Sequence, residues 1–155
     1  MKNLMVTATL FAALASPVLA DKMEISPNGT RKTALGPQAN FTGTVMVDSY
    51  FGADEDLQQT GALVTFLPCA RSAWHTHPGG QILIATDGIG YYQEKGKPIQ
   101  LLHKGDVVKI PPGVKHWHGA SADSEFTHIA VNTNTQKGIV EWLEKVTDEE
   151  YNSFN

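Results

Sequence analysis

The stretch Trp74-His75-Thr76-His77-Pro78-Gly79-Gly80-Gln81-Ile82-Leu83-Ile84-Ala85-Thr86-Asp87-Gly88 decides how this chain is read. On an extended strand, residues two apart point to the same side, roughly 6.6 Å from each other along the chain. His75 and His77 therefore face together, and Trp74 and Thr76 face away. Pro78-Gly79-Gly80 cannot easily continue a ladder. The chain should bend there, and a strand from Gln81 to Thr86 can return the Gln81 carbonyl oxygen to the two imidazoles. Three donors from seven residues make a candidate metal site.

Working outward, Gly105-Asp106-Val107-Val108-Lys109-Ile110-Pro111-Pro112-Gly113-Val114-Lys115-His116-Trp117-His118 repeats the device. A strand ends at Pro-Pro-Gly, and the returning strand sends His116 and His118 to one face and Trp117 to the other. The fourth donor is expected here. Of the six histidines, His75, His77, His116, His118 and His128 lie on strand-like segments, and His103 lies in a polar turn. One His-x-His pair alone is ordinary on a strand, but two pairs point to metal.

These residues resemble the cupin family, whose first motif runs Gly, His-x-His, Glu, Gly and whose second holds Gly, a Pro-x-Gly turn and one further ligand His. His75, His77, Gly88, Gly105, Pro111, Gly113 and His116 match, and Gln81 stands where most cupins have Glu. Further stretches, Phe41-Thr42-Gly43-Thr44-Val45, Lys115-His116-Trp117-His118-Gly119-Ala120, Thr127-His128-Ile129-Ala130 and Val146-Thr147-Asp148-Glu149-Glu150-Tyr151, are similar to small bacterial cupins that include manganese-dependent hydroxynitrile lyases, where Gln is the usual fourth ligand. The resemblance implies an all-β fold, a single jelly-roll barrel (double-stranded β-helix) with a short C-terminal helix. It also implies one divalent ion on His75, His77, Gln81 and His116. Mn(II) is the first choice, and the ligand types also suit Fe(II), Ni(II) or Zn(II).

The pattern after Ala39 agrees with that fold. Short β-branched and aromatic runs alternate with Gly, Pro, Asn and Asp: Phe41–Val47, Ala62–Leu67, Ala73–His77, Gln81–Thr86, Gly90–Glu94, Ile99–Leu102, Val107–Ile110, His116–Ala120 and Phe126–Asn132. Lys95-Gly96-Lys97-Pro98 reads as a hairpin turn. Asp54-Glu55-Asp56 reads as a solvated loop. Val140 to Val146 reads as a strand, and Thr147-Asp148-Glu149-Glu150 as a capping box opening a last helix.

Residues 1–20 read as a secretory signal peptide, with Lys2 at the start, an apolar run from Leu4 to Leu14 and Val18-Leu19-Ala20 at the cleavage site. Residues 21–155 then form one domain, periplasmic or secreted. The formal charge is −4, and loss of Lys2 with the leader makes it −5. A mildly acidic chain without a basic run argues against nucleic acid, or a membrane after leader removal, as partner. A lone cysteine, Cys69, permits no internal disulfide. A short strand at Lys22–Ile25, long enough in its linker to reach a neighbour's sheet edge, predicts a homodimer or homotetramer.

Three imidazoles and a carboxamide add no negative charge, so a bound ion would keep its full 2+ and act as a strong Lewis acid. His118 and His128 are the acid–base candidates beside it, with Ala62, Val64, Phe126, Ala130 and Asn132 lining a small-molecule pocket. His128 reads equally as an orienting residue. The resemblance implies cleavage or formation of an aromatic cyanohydrin such as mandelonitrile. Two other readings remain open, an iron-dependent cupin dioxygenase and a non-catalytic periplasmic binder of small ligands.

Overall fold

The long strand Gln81–Glu94 organises the barrel. In a computed structural model describing residues 23–154, it runs unbroken for 14 residues. Its buried residues are Gln81, Leu83 and Ala85 in the first half and Gly90 and Tyr92 in the second. The parity changes because of an irregularity opposite Thr127 and His128 and because Gly88 adopts φ 72. An extra residue at such a bulge bends a strand without ending it. The sequence predicts two strands here. Gly88 serves as the hinge of one strand, and that strand belongs to both layers.

In chain order the strands are β1 (Thr33–Leu35), β2 (Phe41–Thr42), β3 (Val45–Phe51), β4 (Thr60–Phe66), β5 (Arg71–Ser72), β6 (His75–Thr76), β7 (Gln81–Glu94), β8 (Gln100–His103), β9 (Val107–Ile110), β10 (His116–Ala120), β11 (Phe126–Asn132) and β12 (Glu141–Trp142), followed by helix α1 (Asp148–Tyr151). All pairings are antiparallel. One layer runs β1-β3-β4-β11-β7 with β9 also on β7, and the other joins β7 to β10, β5 and β2, with β8 on β7 and β6-β12 on β10. The sheet curls so that Val45, Val64, Phe66, Leu83, Ala85, Phe126 and Ala130 share an apolar interior. The fold is the all-β barrel expected, with a short C-terminal helix.

A second core lies on the outer side. Trp74 and Trp117, the residues between the paired histidines, face away from the interior and pack with Ile99, Val146 and Tyr151. The predicted capping box forms: the Thr147 hydroxyl accepts from the Glu150 amide at 3.1 Å, and the Glu150 carboxylate accepts from the Thr147 amide at 3.0 Å. The Tyr151 hydroxyl donates to the Ala120 carbonyl at 2.8 Å, pinning α1 to β10. The buried Arg71 guanidinium donates to the Val146 carbonyl.

Several boundaries differ from expectation. Phe41–Val47 is interrupted at Gly43, where φ is 78. Ala73–His77 contributes only β6 to the ladder. Of Val140–Val146, only Glu141–Trp142 is a strand, because Val146 turns into the second core. Asp54 is a turn former, its carboxylate accepting from the amides of Asp56 and Leu57. Met23–Ile25 is exposed and outside any strand, and the segment that pairs with β3 is Thr33–Leu35. The expected leader and Lys22 lie outside the described residues.

Candidate metal centre

The turn after β6 does what its Pro-Gly-Gly sequence suggests. The Gly80 amide donates to the His77 carbonyl at 3.1 Å, and Gly80 has φ 91, a value that costs a residue with a Cβ far more. Gln81 thereby enters β7 facing inward, 5% exposed. His75 and His116 are register partners across β6 and β10. The ring centroids of His75 lie 4.2 Å from His116 and 5.1 Å from His77, and those of His77 and His116 are 5.6 Å apart.

Three imidazoles are held in one tautomer. The Nδ1 of His75 lies 2.9 Å from the Ala73 carbonyl, that of His77 2.6 Å from the Ile139 carbonyl, and that of His116 2.9 Å from the Val114 carbonyl. A carbonyl only accepts, so each Nδ1 carries the proton and each Nε2 presents a lone pair. This arrangement is typical of metal-ligating histidines. The Nε2 of His77 is buried with no partner.

Gln81 supplies a fourth lone pair through a chain of amides. The Asn132 amide nitrogen donates to the Thr60 hydroxyl at 3.0 Å. The Asn132 oxygen in turn accepts from Gln81 Nε2 at 3.1 Å. The Gln81 oxygen then lies 3.3 Å from His116 Nε2. With the His116 proton on the Val114 side, that contact is acceptor against acceptor. A cation between them would satisfy both, as it would the His77 Nε2, so the donors present fit a divalent ion.

His118 lies on the same face of β10. With His75 and His116 it forms the tightest histidine group, one ligand nitrogen from each within 4.8 Å of the others. Its Nδ1, however, faces His128 Nε2 at 3.2 Å. Its ring is sandwiched by aromatic edges, with Phe66 5.6 Å and His128 4.8 Å away. The structure therefore gathers all five strand histidines into one cluster and leaves His103 exposed in its turn.

No described buried residue is an Asp or Glu. Burial, the largest cause, lowers the pKa of His75 and His118 well below the usual value, and neighbouring imidazoles add to the fall. Burial also lowers His77 and brings His116 and His128 to about 4. All five shifts favour the uncharged imidazole, the form that presents a lone pair to a metal ion.

Of the expected pocket residues, Ala62, Val64 and Ala130 face inward from β4 and β11 in register with Ser49, Val47 and Leu83. Phe126 is fully buried in the core beside His128. Asn132 orients Gln81, a role invisible in the sequence because the two residues meet only through the β7–β11 register. A cleft of about 780 Å³ bordered by Met23, Tyr50, Phe51 and Leu57 contains no histidine and lies apart from this cluster.

Comparison with known proteins agrees with this geometry. Residues 62–132 match the family model described as a cupin domain. The chain is 47% identical over 129 residues to an (R)-mandelonitrile lyase of Granulicella tundricola, covering 83% of this chain and 98% of that one. A crystal structure of a cupin-like protein from Thermotoga maritima superposes with a TM-score of 0.74 at 47% identity, covering 85% of this chain and 98% of that one. A cupin conserved barrel domain protein from Salinispora arenicola gives 0.55 at 25% identity over 72% of this chain and 88% of that one. The motifs, the curled antiparallel barrel and the inward histidines thus have one explanation: the chain belongs to the cupin family.

Proposed function

We propose that this cupin is a metal-dependent hydroxynitrile lyase, with His75, His77, Gln81 and His116 holding one divalent ion, first of all Mn(II). The observation that carries the reading is the buried His118–His128 contact of 3.2 Å directly beside four inward lone pairs. The likeness to the mandelonitrile lyase of Granulicella tundricola supports it. When bound, the ion supplies Lewis acidity toward negative charge developing on a substrate oxygen.

The chain's own residues move the protons. His118, neutral because it is buried, accepts the hydroxyl proton of the cyanohydrin at Nε2, since Nδ1 is engaged by His128. The bond between carbinol carbon and nitrile breaks with its electron pair on cyanide, leaving the aldehyde. His118, now charged, passes its Nδ1 proton to His128 Nε2 across the 3.2 Å contact, and His128 releases its Nδ1 proton to cyanide, which completes hydrogen cyanide and leaves both imidazoles neutral. Ala62, Val64 and Ala130 offer apolar walls that exclude water from the charged species.

His118 as the third imidazole ligand in place of His77 is the second reading, favoured by its closeness to His75 and His116. Elemental analysis separates the two, together with cyanide release from mandelonitrile by the metal-loaded protein. His77→Ala should lose metal. His118→Ala should keep it and lose roughly 10²–10⁴ in rate, the range for removing a general base. Metal loss in His118→Ala makes His118 a ligand, and absence of cyanide release from wild type removes the lyase reading. The leader read in residues 1–20 supports a periplasmic or secreted working protein, and mass determination of the mature N-terminus checks that the leader is removed.

A further inference from the structure

The edge strand β12 brings one large side chain to the site. Trp142 is the direct register partner of His75, and directly opposed residues of an antiparallel pair leave the same face of the sheet. For His75 that face is the barrel interior. The indole accordingly lies against the His75 ring, centroids 4.9 Å apart and planes tilted by 43°.

Phe41 of β2 meets Trp142 edge-on at 5.4 Å and Phe66 at 6.0 Å. Phe66 in turn stacks on His128 at 5.7 Å. Aromatic contacts thus run from the part-exposed Trp142 through the buried Phe66 to the imidazole pair. The arrangement is fixed from behind: Lys145 donates to the Phe41 carbonyl at 2.6 Å, and the Leu143 amide donates to the Trp74 carbonyl at 2.8 Å.

Exposure separates Trp142 from the chain's other two tryptophans. Trp74 and Trp117 are 1% and 0% exposed, and Trp142 is 36% exposed. An indole serving the core alone gains by full burial. This one keeps part of its surface accessible while its ring touches a candidate ligand, His75.

We propose that Trp142, backed by Phe41, is a specificity-determining residue whose part-exposed indole receives the aryl ring of the substrate. The nature of that substrate rests on the lyase reading, and the place of the ring rests on the geometry of β12. A ring stacked there gains the preference of one aromatic face for another, which a saturated ring of equal size does not share.

The test uses manganese-loaded protein and two non-reacting alcohols, 1-phenylethanol and 1-cyclohexylethanol. Calorimetric titration of wild type, Trp142→Leu and Trp142→Phe reads binding, with metal content measured alongside. Trp142→Leu should keep its metal and bind 1-phenylethanol about 3–10-fold more weakly, while 1-cyclohexylethanol changes less than about twofold. Trp142→Phe should restore most of the loss. In wild type, 1-phenylethanol should also shield tryptophan fluorescence from acrylamide, because Trp142 is the accessible indole. Equal weakening for both alcohols, no weakening, loss of metal, or no binding of 1-phenylethanol to wild type overturns the proposal. Discrimination at Trp142 in a protein that cleaves no cyanohydrin refutes the lyase reading and leaves this one standing.

Discussion

Replacing Asn132 with leucine isolates the amide chain that aims Gln81. The substitution deletes the oxygen accepting from Gln81 Nε2 at 3.1 Å and leaves that donor without a partner on a side chain only 5% exposed. An unsatisfied buried donor costs about 1–3 kcal/mol, a fall in Tm of about 4–10 °C for a domain of this size. The larger effect concerns metal. Gln81 no longer has a reason to turn its oxygen toward His116, and loss of such an outer partner lowers metal affinity about 10–100-fold. Asn132→Asp keeps an accepting oxygen, so it should bind metal at or above the wild-type level while losing the donation to Thr60. Competition of manganese against a chelator, read by elemental analysis beside thermal melts, measures both. Wild-type affinity in Asn132→Leu, or a parallel fall in Asn132→Asp, would show that Gln81 is aimed by something else.

Three further outcomes are expected. Gln81→Glu should hold or tighten metal and slow cyanohydrin cleavage, because a carboxylate offsets part of the ion's charge; faster cleavage contradicts the charge argument. In metal-free protein, burial holds His116 and His128 near 4 against about 6.5 unfolded, so stability is full above about pH 6.5 and falls as the pH drops toward 4. The unfolded chain takes protons there that the fold refuses, by up to about 3 kcal/mol for His128, and a urea midpoint flat from pH 7 to 4 refutes this. We also propose association of copies through the outer face of the β4-β11-β7-β9 layer, where Leu63, Ile129, Ile84 and Val107 stand side by side in register and Ile84 and Val107 are exposed. Light scattering should give at least a dimer at micromolar concentration and a monomer for Ile129→Lys, and a monomeric wild type removes the claim.

What could be read in the sequence was local. Alternation placed His75 with His77 and His116 with His118, because a strand's period of two is carried by adjacent residues. The capping box at Thr147 was legible for the same reason, its partners lying three residues apart. Gly88 was ambiguous, since a glycine with positive φ ends one strand and bends another alike. Beyond reach were the role of Asn132 toward Gln81, where a pocket wall was expected, and any role for Trp142. Each acquires its role from a register partner, Gln81 and His75, that lies 51 or 67 positions away, and a two-residue strand such as β12 leaves no periodicity to detect.

The neutrality of the interior connects the site's features. Five imidazoles and the carboxamides of Gln81 and Asn132 meet there with no buried carboxylate among the described residues, and burial together with mutual repulsion keeps protons off His75 and His118. An ordinary buried polar cluster lowers its energy by placing a proton in each contact. Here the carbonyls of Ala73, Ile139 and Val114 draw the available protons outward, so that lone pairs accumulate on the inside. The His77 Nε2 is then left unpaired, and His116 Nε2 faces the Gln81 oxygen with no proton between them. Such an arrangement is unfavourable unless a cation completes it. With glutamate at position 81 an ion would be held more tightly and its charge partly cancelled; with glutamine the charge of an ion held there would remain available to a substrate. The same lack of a carboxylate leaves His118 no acidic partner, so a proton it accepts has one buried base within reach, His128 at 3.2 Å. On the proposed reading, the residue that would make the ion a stronger acid and the pair that would carry the proton are two consequences of one choice, an interior in which the described residues place no negative charge.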